Sequence, residues 1–269
     1  MRALRRFGLA RALAWLVLLY LALPMLVVFP VSLTDQQVLE LPQKTISFRH
    51  WTALFSDPAW LGGFEQSFLI AAAATVIATA VGSLCAIGCW RLASRAGETV
   101  RSLMLLPIIV PAIIYAIALY RYYASLRMLG TFTGVILAHA VLALPYVVIA
   151  VSASLANFDR RLEQAARNLG AGMGQVLWRV IVPNILPGIA SGAVFAFVLS
   201  WDELVVVLFI ASRTIYTLPR LIWDGINESL DPKIAVVAAA MICVSVALFL
   251  AQQSLSRRPA PGAGGEYGG

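Results

Sequence analysis

Residues 160–189 read RRLEQAARNLGAGMGQVLWRVIVPNILPGI. This charged stretch, interrupted by Gly and Pro, lies between two segments that are apolar enough to span a lipid bilayer. Its first part predicts a short amphipathic helix, because apolar and charged residues fall on opposite helical faces. The apolar face carries Leu162, Ala165, Ala166 and Leu169, and the polar face carries Arg160, Arg161, Glu163 and Arg167.

Gly170 is predicted to end this helix, and a second short helical run is predicted from Gln175 to Val182. The second run has its own apolar side, and Pro183 and Pro187 are expected to break it. A hairpin this small cannot bury its own apolar face. The sequence therefore predicts that something else covers the 160–189 insert.

The insert resembles the coupling loop of permease subunits of bacterial binding-protein-dependent ABC importers. That loop has the pattern EAA, three residues, Gly, nine residues, Ile, one residue, Leu-Pro. The matching positions here are Gln164, Ala165, Ala166, Gly170, Val180, Val182 and Pro183, followed by Pro187, Gly188 and Ile189. The resemblance implies that Glu163, Gln164, Ala165, Ala166, Gly170 and Pro183 couple the chain to an ATPase.

Three positions depart from the family pattern. Val180 and Val182 replace Ile and Leu and keep the apolar character, whereas Gln164 replaces the usual Glu and removes a charge. An ionic contact made by that Glu is therefore in doubt, and the adjacent Glu163 is the nearest replacement.

The composition independently indicates an integral membrane protein. Of the 269 residues, 61% are hydrophobic and 12% are charged, with a mean hydropathy of +0.85. Soluble domains have about 45–50% apolar and about 25% charged residues. Six apolar runs are long enough to cross a bilayer, which predicts an all-α polytopic protein with six transmembrane helices. They are Leu13–Leu33, Ser67–Trp90, Leu103–Tyr120, Val135–Leu155, Ile189–Ile210 and Ile234–Ala251.

The basic residues predict the orientation of these spans. Of the 20 Lys and Arg residues, 13 fall on the side that holds both termini and the 160–189 insert, and 7 fall on the other. The positive-inside rule places the richer side in the cytoplasm. The net charge of +7 is then a consequence of topology, so no nucleic-acid partner is needed.

These spans suggest four regions. Residues 1–33 form the cytoplasmic N-terminus and first transmembrane helix, and residues 34–66 form an external loop with an interfacial helix. Residues 67–251 form the permease core of five transmembrane helices with the coupling loop at 156–188, and residues 252–269 form a disordered cytoplasmic tail. A further short helix is predicted in the external loop Ser212–Lys233.

Asp202 and Glu203 form the one ionisable pair predicted within a span. Carboxylates at membrane depth normally face a bundle interior or an aqueous path. One interpretation is that Asp202, beside Trp201, lines a route for a cationic substrate, with Glu203 diverging from it on the same helix. The other is that the pair caps a helix break or pairs with Arg121, Arg213 or Arg220.

No Gly-Lys-Ser/Thr phosphate loop is present, because the two lysines, Lys44 and Lys233, follow Gln43 and Pro232. The chain is therefore predicted to be a transport subunit rather than an enzyme. The family resemblance implies a type I importer permease fold in the bacterial inner membrane, working by alternating access. It also implies a homologous second permease, two cytoplasmic ATPases that hold ATP and Mg, and an external solute-binding protein.

Within the family, the stretches SWDELVVVLF and TLPRLIWDGINESLDPKIAVVAA resemble the second permease of the spermidine/putrescine branch. A polyamine or related organic cation is the expected solute. Relatives that handle iron, thiamine, phosphonates or opines carry similar sequences and remain alternatives.

Two other classes are less well supported by the residues. A stand-alone secondary transporter would show inverted repeats with discontinuous spans, and none is visible. An intramembrane enzyme would need a partner motif for His139, which instead suggests packing or helix–helix hydrogen bonding. Cys85 and Cys89 have no third metal ligand nearby and are expected to pack between helices.

Overall fold

A computed structural model describes residues 2–212, 214–228 and 230–256 of the chain. The described residues form helices and connecting loops, and they contain no β-strand. The helices, in chain order, are α1 (Arg2–Ser32), α2 (Arg49–Phe55), α3 (Pro58–Leu92), α4 (Arg95–Ile109), α5 (Ala112–Leu126), α6 (Phe132–Ala156), α7 (Arg160–Asn168), α8 (Met173–Val176), α9 (Val182–Trp201), α10 (Val205–Ile210), α11 (Leu218–Glu228) and α12 (Lys233–Ser256).

Five helical stretches in the described part are long and apolar enough to cross a membrane, and a bent pair of helices brings the number to six. The all-α prediction is confirmed, and the predicted spans match these stretches except at the third and fifth. The predicted region boundaries at 66/67 and 251/252 fall inside α3 and α12. Residues 252–256 continue α12, and the rest of the predicted tail lies outside the described residues.

The third predicted span is broken rather than continuous. The helix axis bends by 106° between α4 and α5, at Val110 and Pro111. Proline has no backbone N–H and pushes the preceding residue into extended backbone, and Val110 has φ −78° and ψ 125°. The third predicted span is therefore a sharply bent pair of helices with Pro111 at the bend.

The fifth predicted span differs at both ends. It begins earlier, at Met173, because a π-helical turn at Leu177–Ile181 joins α8 to α9 without a break. The predicted break at Pro183 and Pro187 is therefore wrong: the wider π turn ends just before Pro183, where a regular helix would lose a hydrogen bond. The span also stops early, at Trp201, instead of continuing to Ile210.

Contacts divide the chain into two compact units. One comprises the residues up to Phe64 with Arg220–Val244, and the other comprises Glu65–Pro219 with the residues from Ser245. In the first unit, Lys233 Nζ donates a hydrogen bond to Asp57 Oδ2 at 2.8 Å. This hydrogen bond holds the pKa of the Asp57 carboxyl below its ordinary value. The helices predicted in the 34–66 loop and in the 212–233 loop are present as α2 and α11.

The core of the second unit is built on close contact between α6 and α9. Gly192 allows this approach, because a Cβ there would lie 3.0 Å from the Val147 Cα. His139 Nδ1 and Ser200 Oγ are 2.8 Å apart and join the two helices by a buried hydrogen bond. The helix–helix role suggested for His139 is therefore confirmed. The packed α6–α9 helix pair therefore positions the end of α9 and the insert that follows α6.

Candidate functional site

Helix α7 of the 160–189 insert has clear start and stop signals. Asp159 caps its first turn by accepting a hydrogen bond from the Arg161 N–H at 2.9 Å. After the helix, Gly170 has φ +83° and its N–H donates to the Arg167 carbonyl at 2.9 Å. This left-handed backbone is the geometry that favours Gly, so the predicted role of Gly170 as the stop is confirmed.

The apolar face of α7 is only partly covered by the chain itself. Ala166, together with Ala171, packs against the core formed by α3, α6, α8, the π turn and α9. Leu162 is 44% exposed and Leu169 is 89% exposed, and no residue of α7 is buried. One leucine on α7 and one directly after its end are therefore left uncovered.

The six predicted coupling residues do not form one cluster. Five of them lie on α7 or in the turn that follows, where Gln164 and Ala165 are exposed. Pro183 lies separately, in the first turn of α9. The structure therefore places the motif residues from Glu163 to Gly170 in one helix and its following turn, apart from Pro183.

Glu163 has a different environment from its neighbour Gln164. Its Oε1 accepts hydrogen bonds from Arg91 Nη2 at 2.5 Å and from Arg167 Nη2 at 3.0 Å. Its side chain is 16% exposed. The carboxylate is therefore already paired within the chain, and the expectation that Glu163 replaces the charge missing at Gln164 stays a prediction.

Arg91 and Trp90, at the end of α3, are the residues of this site that sequence reasoning missed. Arg91 also contacts the Met173 Sδ, and the Arg160 guanidinium lies 4.8 Å from the Trp90 ring centroid. The one signal in the sequence was a basic residue at the end of a predicted span. It gave no indication of a partner 72 residues further along the chain.

Asp202 and Glu203 lie in a break between α9 and α10 rather than within a helix. Asp202 follows the last residue of α9, and Glu203 Oε1 accepts a hydrogen bond from the Val206 N–H at 2.9 Å, at the start of α10. The expectation that the two side chains diverge on one continuous helix is therefore wrong. Glu203 caps a helix, as the second interpretation proposed for the pair.

The two carboxylates also differ in accessibility. Asp202 is exposed and Glu203 is half-buried. Neither forms an ion pair with Arg121, so that suggested pairing does not occur, and the suggested pairing with Arg220 stays a prediction. Arg213 lies outside the described residues.

Trp201 belongs to the packed interior. It is 1% exposed, and its ring stacks on Phe197 with a centroid distance of 5.7 Å and an interplanar angle of 20°. Phe197 in turn meets Phe68 edge-on at 5.9 Å. Trp201 and Asp202 therefore differ in environment. Trp201 is buried and packs at the end of α9, whereas Asp202 is exposed.

The sequence also matches known transport proteins. Residues 78–260 match the family described as "Binding-protein-dependent transport system inner membrane component". The chain is 29% identical over 253 residues to the spermidine/putrescine transport system permease protein PotC of Haemophilus influenzae, covering 94% of this chain and 98% of PotC. It is 33% identical over 215 residues to the molybdenum transport system permease protein ModB of Mycobacterium bovis, covering 74% of this chain and 80% of ModB.

A solved structure supports the fold. A bacterial ABC transporter involved in the import of the acidic polysaccharide alginate matches with a TM-score of 0.73 at 16% identity, covering 96% of this chain and 98% of that one. The family match takes in more than half of the sequence. The chain therefore belongs to the inner membrane components of binding-protein-dependent transport systems, the permease subunits of ABC importers.

Proposed function

We propose that this permease imports a polyamine or a related organic cation, using ATP hydrolysed by separate subunits. The observation that carries the solute assignment is the Asp202 carboxylate, which is exposed and has no ion-pair partner among the described residues. The similarity to a spermidine/putrescine permease over 94% of the chain supports the same solute class.

Electrostatics favours a cation at Asp202. The sequence around it, FVLSWDELVVVLFI, contains no basic residue, so no nearby residue along the chain neutralises this carboxylate. Charges interact more strongly in a low-dielectric environment than in water. An ammonium group that passes this point is therefore attracted, and an anion is repelled.

The 160–189 insert is proposed to dock on the ATPase. Leu162 on α7 and Leu169 directly after it are left exposed, and a partner groove lined by apolar side chains would remove both from water. The absence of a Gly-Lys-Ser/Thr loop supports an ATPase on another chain, where ATP and Mg would bind. We therefore assign the insert and both termini to the cytoplasmic side.

The remaining partners follow from the importer assignment. The transporter would contain a homologous second permease, two ATPase subunits and an external solute-binding protein. Residues 67–251 would supply the permease core, and the 34–66 loop with its helix α2 would face the binding protein. The chain itself would carry no cofactor or metal.

The solute assignment is tested by spermidine uptake into cells or vesicles that contain Asp202→Asn or Glu203→Gln, with co-purification of the ATPase measured in parallel. Asp202→Asn removes an accessible charge, so uptake should fall about tenfold or more while the ATPase remains bound. Glu203→Gln keeps an oxygen acceptor for the Val206 N–H and should have a smaller effect. Unchanged spermidine uptake by Asp202→Asn would exclude this residue from the path.

Molybdenum transport is the second candidate, because ModB is 33% identical to this chain. Uptake of molybdate and of spermidine by the same wild-type transporter separates the two. Molybdate uptake without spermidine uptake would reject the cation assignment and leave the importer assignment intact.

The nucleotide assignment has its own test. The purified chain should neither bind nor hydrolyse ATP, and uptake should require the partner subunits. Specific binding of ATP by the isolated chain at micromolar concentration would overturn it.

A further inference from the structure

Two consecutive residues at the end of α3 hold the insert. Arg91 donates to Glu163 at 2.5 Å and contacts Met173 at the start of α8. Trp90 stacks under the Arg160 guanidinium at 4.8 Å and meets Phe158 edge-on at 5.7 Å. The first turn of α7, its Glu163 and the start of α8 are therefore all attached to one membrane-spanning helix.

These polar contacts matter because α7 has little hydrophobic anchoring. No residue of α7 is buried, and its contact with the core is made by the small side chain of Ala166. In contrast, the Arg91 and Glu163 side chains are 21% and 16% exposed, so water and salt screen their attraction only in part. Hydrogen bonds between ionised partners are also stronger than neutral ones.

We infer that Arg91 is a positioning residue for transport, which joins α7 to α3 through Glu163 so that movement of the insert reaches the membrane-spanning helices. This inference rests on the proposed docking of the insert on an ATPase. Arg167 bonds to the same Glu163 oxygen at 3.0 Å, but it lies on α7 itself and so cannot connect α7 to another helix.

Glu163 and its neighbour Gln164 are therefore expected to have different roles. Glu163 faces inward and is occupied by Arg91, whereas Gln164 is exposed and available to a partner. Loss of the Glu163 charge should therefore disturb transmission within the permease and leave the docking face itself intact.

The test uses the complete transporter purified with its ATPase, and compares Arg91→Gln, Glu163→Gln and the double variant. Arg95→Gln is the matched control, because Arg95 is exposed, lies four residues beyond Arg91 and makes no ion pair with a described residue. Amide hydrogen exchange is measured in α7. Exchange in α3 is measured twice, with and without a non-hydrolysable ATP analogue.

Arg91→Gln should raise the exchange of α7 amides about tenfold, the change expected for loss of one charge-assisted hydrogen bond. Glu163→Gln should raise it at least as much, because it also weakens the bond from Arg167. The double variant should show little further increase over Glu163→Gln, because both substitutions break the Arg91–Glu163 contact. The nucleotide-dependent change in α3 should disappear while the ATPase stays bound, which a purely structural role would not produce. Arg95→Gln should behave as wild type.

Unchanged α7 exchange, independent effects that multiply in the double variant, or a preserved nucleotide response in α3 would each overturn the inference. Failure of the proposed function has a different signature, since the wild-type chain would then not retain an ATPase. In that case the α7 exchange of the chain alone still decides whether Arg91 and Glu163 act as a pair.

Discussion

In the α6–α9 pair, a Cβ at Gly192 would lie 3.0 Å from the Val147 Cα, whereas a Cβ at Gly170, beside α7, would meet no atom within 4 Å. The first glycine is required by packing and the second by its φ of +83°. The same contrast holds for side chains, since α6 buries many residues and α7 buries none. The α6–α9 core is thus complete within the chain, while the insert presents a surface that a partner would complete.

Gly188→Val should produce the largest loss of stability. A Cβ at Gly188 would clash with the Ser154 side chain and approach the Ala150 carbonyl oxygen to 3.0 Å, so α9 would have to move away from α6. Overpacking of this kind costs about 1–3 kcal/mol. Thermal unfolding of the purified permease measures it. Gly88→Val is the control, because a Cβ there meets nothing within 4 Å, and equal losses in both variants would contradict the close-packing account.

Ser200→Ala should destabilise the same core by about 1–2 kcal/mol, because it leaves the His139 ring nitrogen buried without a partner. Adding His139→Leu should recover part of this loss, since removing both polar groups avoids the unpaired nitrogen. The same unfolding assay applies. A double variant less stable than Ser200→Ala alone would show that the hydrogen bond is not what matters at this contact.

Gly170→Val should act on the insert and spare the core. A β-branched residue in left-handed backbone costs about 1–2 kcal/mol, which would displace the turn after α7. We expect reduced co-purification of the ATPase with a nearly unchanged unfolding midpoint. Gly170→Asn is the matched variant, because Asn tolerates this backbone and should retain more of the ATPase. A large drop in the unfolding midpoint would show that the insert is part of the core.

Gln164→Glu should have the smallest effect on stability, within about 0.5 kcal/mol, because the side chain is exposed. It restores the charge that the family pattern usually has at this position. We expect stronger retention of the ATPase at low salt, with the gain lost at high salt as the ionic contact is screened. A gain that persists at high salt would argue against an ionic contact.

Much of this architecture could be predicted from the sequence, because the signals are local. Long apolar runs gave the spans, and the spacing of Leu162, Ala166 and Leu169 gave the face of α7. Gly170 predicted the end of α7, because the turn after the helix has the left-handed backbone that favours Gly.

The remaining features depend on contacts or backbone detail that local patterns do not encode. The break after Trp201 lies in a stretch without Pro or Gly, so its only signal was the Asp202-Glu203 pair, which left two interpretations open. The π turn before Pro183 keeps the chain helical where a proline ordinarily predicts a stop. The Arg91–Glu163 ion pair joins residues far apart in the sequence, which a single sequence cannot pair.

Leu169→Asp tests whether the uncovered leucines on α7 and directly after it bind a separate ATPase. Leu169 is 89% exposed, so a charge there should not affect folding or insertion. Leu41→Asp is the control, since Leu41 is 55% exposed in the loop predicted to face the other side of the membrane. ATPase co-purification and solute-stimulated ATP hydrolysis should fall about tenfold or more in Leu169→Asp, because a carboxylate would be buried in an apolar groove, and should be unchanged in Leu41→Asp. Wild-type hydrolysis and full retention of the ATPase by Leu169→Asp would contradict the account.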